Sequence, residues 1–412
     1  MRFLSLLTAF LFFCSSVISQ TIKGTVTDIA NNNAVNKASI YINNSTLGTT
    51  SNQTGNFQLN VKGLKKIELI VTHVGYNRYI QEIILKENED LNLSIKLSPE
   101  DGQLESVVIE PYEKEDWNKW GRYFLNVFLG ENEAALKCKV MNTEDITFRY
   151  FKKSKRLVAI AKKPLIVSND YLGYNIKYDL MNFEADFNTN MTNYSGLVLF
   201  TEKDGKTKKK YIKNREKAYE GSKTEFLRST FTKSWQEDGF EVKRMYRIYN
   251  AEKERMKEKV QLLVKDHIAK NGRRLAFNVD SLIGNKDSIA YYHQKIKEDN
   301  YEDVFSQYSL TPDSIITSIK PTTKDIYFND YLYIVSKKTK EERDYMLRHN
   351  INRAAYYQRS NMFMIEKNIP ITIFSDGNYS PNEQMIHFGY WSWRENVSTM
   401  LPSDYYPAKD LL

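Results

Sequence analysis

Residues 21–98 carry the pattern that most restricts the fold, a series of short segments in which apolar and polar residues alternate. The alternation is strict in Leu91–Leu97, and it recurs in Ile22–Asp28 and Lys66–His73. Successive side chains of a strand point to opposite faces, so a period of two indicates a strand with one buried face. Turns rich in Gly and Asn separate the segments. We therefore predict an antiparallel β-sandwich over residues 20–98.

The order of short motifs in this module points to a family. The motifs are Gly24-Thr-Val-Thr-Asp28, Ala38-Ser-Ile-Tyr-Ile42, Gly55-Asn-Phe-Gln-Leu59 and Val74-Gly-Tyr76. In this order they resemble the carboxypeptidase regulatory-like domain of Bacteroidetes, although Ala34-Val35 stands where that family often has Pro-Leu. The resemblance implies a transthyretin-like, prealbumin-type sandwich that serves as a scaffold or recognition module.

Zinc carboxypeptidase chemistry is not supported, despite the family name. Such an enzyme needs a His and a Glu three residues apart, with a distant His, to hold zinc and leave one position open. None of the five His residues is followed by Glu at that spacing. The sequence predicts no metal site and no cofactor.

The N-terminal residues 1–19 read as a secretory signal. Arg2 is followed by the apolar run Phe3–Phe13, which is too short to span a bilayer, and Ser19 precedes the expected cleavage point. Lipidation at Cys14 is the alternative, and it would anchor the protein to a membrane. We expect an exported protein, in the periplasm or associated with the outer membrane, with the cell surface as a further option.

Residues 99–115 are predicted to be a linker, because Pro and Gly surround one short apolar segment. That segment, Leu104–Ile109, resembles the connector that follows this module in many Bacteroidetes outer-membrane receptors. No later stretch approaches the about 18 apolar residues of a membrane-spanning helix, so none is expected.

Residues 116–412 form a second region, which we predict to be β-rich with some helix. Tyrosine occurs 28 times and phenylalanine 21 times, and aromatic residues favour strands. Helical spacing of apolar residues predicts helices over Trp117–Gly130 and Asn214–Trp235. The segments Leu172–Tyr178 and Asn214–Ser222 resemble an uncharacterised region attached to this sandwich in related proteins, a likeness that implies architecture and no chemistry. The fold class is therefore α+β, mostly β.

Two sets of residues are candidate ligand or partner contacts. Arg215 and Arg228 are predicted on one helix, where Arg228 lies three residues after Glu225 and either pairs with it at the surface or binds an anion. Tyr390, Trp391 and Trp393 are predicted on a strand, where the two indoles share a face. They would form a sugar-stacking platform if exposed and part of the core if buried, and the core is favoured.

No nucleophile, nucleotide or nucleic-acid motif is present. Cys138 has no protease signature around it, and a lone cysteine is usually a small buried apolar residue. The formal net charge of +8 comes from interleaved charges, and an exported chain has little access to nucleic acid.

The sequence therefore favours a non-enzymatic envelope protein that binds or scaffolds an envelope protein or a glycan. One alternative is a hydrolase with an unrecognised pair of carboxylates in the second region. Another is an accessory to an outer-membrane uptake receptor, as the connector at Leu104 suggests.

Overall fold

The computed structural model describes residues 20–61, 64–86, 90–100, 110–203, 208–272 and 277–408. The predicted signal sequence with Cys14 and the connector Leu104–Ile109 lie outside these ranges. Among the described residues, no helix is both long enough and apolar enough to cross a membrane.

The N-terminal module is a β-sandwich of two sheets, as the alternation predicts. Its strands are β1 (Thr21–Asp28), β2 (Ser39–Ile42), β3 (Gly48–Thr50), β4 (Asn56–Asn60), β5 (Lys66–Thr72), β6 (Tyr79–Ile84) and β7 (Leu91–Leu97). One sheet has the order β4-β1-β7 and the other β3-β2-β5-β6. All of these pairings are antiparallel except β1 with β7, which is parallel. The alternating apolar residues, such as Ile22, Val26, Leu69 and Ile95, meet in one buried core between the sheets.

The second region begins with a seven-stranded sheet covered by a helix. Its elements are β8 (Glu113–Glu115), α1 (Trp117–Phe128), β9 (Cys138–Val140), β10 (Ile146–Phe151), β11 (Arg156–Ala161), β12 (Leu165–Asn169), β13 (Tyr174–Asp186) and β14 (Met191–Glu202). The predicted helix is therefore confirmed. Asp116 caps its first turn, and Phe124 and Phe128 are buried in the core.

The prediction of a single helix over Asn214–Trp235 is wrong, because the chain forms two helices there. They are α2 (Lys209–Tyr219) and α3 (Lys223–Thr232). Gly221 separates them with φ +73°, in a region that glycine enters at little cost. Ser222 then accepts the N–H of Glu225, and a carboxylate oxygen of Glu225 accepts the N–H of Gly221. The first bond satisfies an N–H group that an α-helix N-terminus leaves without a partner, and the second ties the Glu225 side chain to the residue before the cap.

Gly221→Ala is expected to destabilise the fold, since alanine pays about 1–2 kcal/mol for a left-handed backbone. An added Cβ would also meet Thr339 Oγ1 at 2.7 Å and Ser336 Oγ at 2.9 Å. Gly75→Ala is the matched control, because Gly75 has φ +82° at the same position of a similar turn and nothing within 4 Å of the added Cβ. Denaturant unfolding should show a larger loss for Gly221→Ala. Equal losses would show that packing around Gly221 contributes nothing.

The remaining chain forms two further sheets. The elements that follow α3 are β15 (Phe240–Tyr249), α4 (Ala251–Asn271), α5 (Asp280–Ile283), α6 (Lys286–Lys297), β16 (Tyr301–Phe305), β17 (Ile316–Ile319), β18 (Thr323–Ile326), β19 (Tyr331–Lys340), α7 (Arg343–Arg348), β20 (Tyr357–Met364), β21 (Ile371–Phe374), β22 (Tyr379–Ser380), β23 (Met385–Gly389) and α8 (Tyr390–Arg394). A five-stranded sheet has the order β16-β15-β19-β20-β23, and a four-stranded sheet has the order β17-β18-β21-β22. Their buried residues share one core with α3 and α8.

The sandwich contacts the second region through apolar and polar pairs. Tyr41 and Ile70 pack against Leu197 on β14. Arg78 donates two hydrogen bonds, of 2.5 and 3.0 Å, to the carboxylate of Asp179. Thr46 donates its backbone N–H to Asp404 at 2.9 Å, so the C-terminal segment also reaches the sandwich.

Candidate functional site

A cavity of about 220 Å³ lies where the sandwich meets the second region. The sandwich contributes Asn44, and the junction of α2 and α3 contributes Lys223. His387 comes from β23, and Glu395 follows α8. Cavities between domains are common places for small-ligand binding.

The break between α2 and α3 positions the charged groups of this cavity. Because α3 starts at Lys223, the backbone N–H of that residue is free of helical bonding, and it donates to Glu395 Oε1 at 2.5 Å. Among the described residues, Lys223 Nζ forms no ion pair with a carboxylate. The ammonium group instead contacts Tyr379, whose ring centre lies 5.5 Å away. Burial would lower the pKa of Lys223, but Tyr379 and the charge of Glu395 outweigh burial and raise it. The cavity therefore holds the ammonium group of Lys223 and the carboxyl of Glu395, which do not form an ion pair. Arg394 and Asp376 also line the cavity, and both are bonded to the backbone.

Burial controls the ionisation of the groups around the cavity. It raises the pKa of Glu395, and the nearby Lys223 opposes this only in part. It also lowers the pKa of His387 to about 3, with help from the charge of Lys223, so the imidazole is neutral at pH 7. These shifts indicate a poorly hydrated site.

Arg228 lies beside this cavity, and its role differs from the predicted surface pairing. The residue is only 7% exposed. Its guanidinium donates to the backbone oxygens of Asp376, Ser403 and Tyr405 at 2.9 to 3.1 Å, and it lies 4.0 Å from the centre of the Tyr406 ring. Arg228 therefore joins α3 to a loop and to the C-terminal segment.

Arg215 is also buried, on α2, with 5% exposure. It donates to the backbone oxygen of Leu172 at 2.8 Å and to the carboxylate of Glu202 at 2.8 Å, and it stacks 3.8 Å from the centre of the Tyr174 ring. The structure thus places Arg215 and Arg228 on different helices, each engaged within the protein. Ligand contact by either residue stays a prediction.

The aromatic cluster near the C-terminus forms the short helix α8, so its prediction as a strand is wrong. Trp391 is 2% exposed and packs against Phe226. Its indole N–H donates to the backbone oxygen of Gly221 at 2.7 Å. Tyr390 is buried and Trp393 is half-buried. Trp391 therefore serves as a core residue that fixes the α2–α3 junction, and partner contact by Tyr390 or Trp393 stays a prediction.

The other chemical candidates have little support in the geometry. Burial raises the pKa of the Cys138 thiol to about 12, which keeps it protonated and unreactive at neutral pH. Two carboxyl residues line the cavity, Glu395 and Asp376. Asp376 is already bonded to the backbone N–H groups of Lys65 and Asn378. Within the described ranges, no group of His, Cys, Asp and Glu residues has the arrangement of a metal site.

A second candidate site, which the sequence analysis missed, lies on the solvent side of the five-stranded sheet. Residues that pair directly across strands share a face of the sheet. The strand register places seven aromatic rings on the solvent side of the five-stranded sheet. They are Tyr249, Tyr301, Phe305, Tyr331, Tyr333, Phe363 and Phe388. We call these seven residues the aromatic face. None of the seven is fully buried, and Tyr301 is 51% and Phe305 44% exposed.

The rings of the aromatic face contact one another. Phe305 lies 4.6 Å from Tyr333, and Tyr331 lies 5.2 Å from Phe363 and 5.8 Å from Phe388, between ring centres. Arg247 lies over the rings of Tyr331 and Phe388. The sequence signal was present in Tyr331–Val335, where apolar residues occupy both faces of one strand.

Charged side chains on the aromatic face are paired. Arg247 donates two hydrogen bonds to Asp303, at 2.7 and 2.8 Å. That contact lowers the pKa of Asp303 and raises that of Arg247. Arg359, on the neighbouring strand β20, donates to Glu341 at 3.0 Å. The aromatic face therefore presents aromatic rings and polar groups, and its arginines Arg247 and Arg359 are paired with carboxylates.

Comparison with known proteins identifies the N-terminal module. The architecture defines the chain as a β-sandwich joined to a larger, β-rich α+β region. Residues 22–109 match the CarboxypepD_reg-like domain family. The module is therefore a carboxypeptidase regulatory-like domain, as its motif order predicts.

Two solved structures are similar only at a low level. One is from Bacteroides fragilis and is named as a membrane-associated protein of unknown function. It is 8% identical, with a TM-score of 0.17, over 90% of this chain and 95% of that chain. The other is a 9R-lipoxygenase from Cyanothece, 8% identical with a TM-score of 0.16, over 51% of this chain and 45% of that chain. Neither similarity supports an argument about function. A search of curated proteins finds no match.

Proposed function

We propose that this chain is a non-enzymatic binding protein of the cell envelope, and that its aromatic face binds a neutral glycan. The observation that carries the proposal is the continuous set of partly exposed rings on one sheet. Contiguous exposed apolar surface with polar groups among it is typical of an interaction site.

The chemistry of the face favours a sugar chain over a protein. Pyranose rings present apolar C–H surfaces to an aromatic ring and hydroxyl groups at their edges. Here the exposed rings of Tyr301 and Phe305 lie on either side of the Arg247–Asp303 pair. Stacking and hydrogen bonding are thus available within one short strand, β16.

The pairing of charges favours a neutral glycan over an acidic one. An acidic polymer would need a free cation, whereas Arg247 and Arg359 are both bonded to carboxylates. Breaking such a pair to bind an anion would cost part of the binding energy.

Envelope location is the second part of the proposal. It is supported by the export signal that the sequence predicts for residues 1–19 and by the regulatory-like domain at residues 22–109. A lipid anchor at Cys14, or contact with a membrane-bound partner, would hold the protein at the outer membrane.

Substitution of exposed rings is expected to weaken glycan binding. Tyr301→Ala and Phe305→Ala should each lower affinity roughly two- to tenfold, since an aromatic contact contributes about 0.5–1.5 kcal/mol beyond its buried area. Tyr246→Ala is the matched control, because Tyr246 is similarly exposed on the same strand pair but points to the opposite face. Retention on immobilised cellulose, xylan, mannan and amylose measures the effect.

Failure of the wild-type protein to bind any of these polysaccharides would count against the proposal, as would equal losses in all three variants. Recovery of a protein partner from envelope extract, with binding sensitive to Tyr301→Ala, would replace the glycan with a protein.

A further inference from the structure

We propose that the cavity between the sandwich and the second region binds a small zwitterion of amino-acid size, with its carboxylate on Lys223 and its ammonium group on Glu395. This site is separate from the aromatic face and does not depend on it.

The size of the cavity limits the ligand. Pockets for drug-sized ligands measure about 300–1,000 Å³, whereas this one measures about 220 Å³. An amino acid or a similar compound suits that volume, and a glycan chain does not.

The separation of charges in the cavity requires groups of both signs in the ligand. A cation and a carboxylate in a poorly hydrated place are costly unless each meets a partner. Lys223 Nζ contacts Tyr379, which carries no charge at neutral pH, and it forms no ion pair with a carboxylate of the described residues. One oxygen of Glu395 is held by the backbone N–H of Lys223. A zwitterion that bridges the two would compensate both charges at once.

The neutral polar groups add hydrogen-bonding capacity. His387 makes no hydrogen bond to another described residue, and its ring lines the cavity beside Asn44. The neutral imidazole can donate one hydrogen bond and accept another. The low pKa of His387 fits this state. The lining thus offers more polar groups than the protein itself satisfies.

Calorimetric titration with three related probes tests the proposal. L-Alanine carries both charges, N-acetyl-L-alanine lacks the ammonium group, and L-alaninamide lacks the carboxylate. We expect L-alanine to bind at least tenfold more tightly than either analogue. Equal affinity for all three, or no binding of L-alanine, would overturn the proposal.

Single substitutions test which residue binds the carboxylate of the ligand and which binds its ammonium group. Lys223→Met and Glu395→Gln should each weaken L-alanine binding at least tenfold, and Lys213→Met, an exposed site on α2, should leave it unchanged. Thermal unfolding without ligand confirms that each variant is folded. If a variant fails to fold, the comparison of the three probes with the wild-type protein still decides the matter. Unchanged affinity in folded Lys223→Met would also overturn the assignment.

Discussion

Arg228→Ala is expected to lower the free energy of unfolding by about 3–5 kcal/mol, the range for removing one partner of a buried charged network. The substitution leaves three backbone oxygens, those of Asp376, Ser403 and Tyr405, without the donor that they now share. It also removes the contact with the ring of Tyr406. Urea unfolding followed by tryptophan fluorescence would measure the loss.

Arg228→Lys is the control that separates charge from geometry. Lysine keeps the positive charge, but one ammonium group cannot reproduce the planar fork of guanidinium donors. We expect an intermediate loss for lysine. If Arg228 served only to contact a ligand, Arg228→Ala would unfold at the wild-type urea concentration, and that result would contradict a structural role for Arg228.

Glu341→Gln is expected to cost about 3 kcal/mol at pH 7, with the loss disappearing in acid. The carboxylate of Glu341 is 2% exposed. Burial alone would raise its pKa, but hydrogen bonds from Arg353, the backbone N–H of Tyr356 and Arg359 outweigh burial and lower the pKa to about 2. Relative to an ordinary value of 4.5, this corresponds to about 3 kcal/mol of stability.

The direction of the pH effect follows from proton binding. The folded state binds the Glu341 proton less readily than the unfolded state, so this stabilisation is complete above pH 4.5. It decreases as the pH falls from 4.5 towards 2. Urea unfolding of the wild type and Glu341→Gln should therefore differ at pH 7 and converge towards pH 2.

The neighbouring residue provides a control for Glu341. Glu342 pairs with the half-exposed Lys217 at 3.7 Å, so Glu342→Gln should cost less than about 1 kcal/mol at any pH. A difference between Glu341→Gln and wild type that stays constant from pH 7 to pH 2 would contradict the ionic role of Glu341.

The sandwich could be predicted from the sequence because each of its strands is marked by the residues of that strand and of the adjoining turns. Each strand alternates by itself, and turns mark the ends, so β5 and β7 begin at the predicted residues Lys66 and Leu91. The parallel pairing of β1 with β7 could not be read in this way, because alternation shows which face is buried and does not show which strands are neighbours.

At the α2–α3 junction, an error in the predicted helix boundary prevents the cavity residue Lys223 from being identified in the sequence. The spacing Ser222-x-x-Glu225 is a recognised start signal for a helix, and Gly221 immediately before it is a suitable break. The apolar spacing continued across this junction, and that continuity outweighed the local signal in the prediction. A single helix places Glu225 and Arg228 one turn apart and so predicts that they pair, and it gives no sign that a helix begins at Lys223.

The candidate sites depend on contacts between distant parts of the chain. The cavity joins Asn44 to Lys223 and Glu395, and the aromatic face joins Tyr301 to Phe388 through four intervening strand pairings. Neither set shares a local motif. At Trp391 the favoured interpretation is a core residue, which agrees with its 2% exposure, and the exposed rings lie on a different surface.

Hydroxyl-radical footprinting of the wild-type protein tests the central proposal, glycan binding on the aromatic face, most directly. It is performed with and without each of the four polysaccharides. We predict that at least one polysaccharide protects Tyr301 and Phe305 from oxidation and leaves Tyr246, on the opposite face of the same strands, oxidised at its free rate. Oxidation of Tyr301 and Phe305 that no polysaccharide reduces, or protection confined to Tyr246, would contradict the proposal.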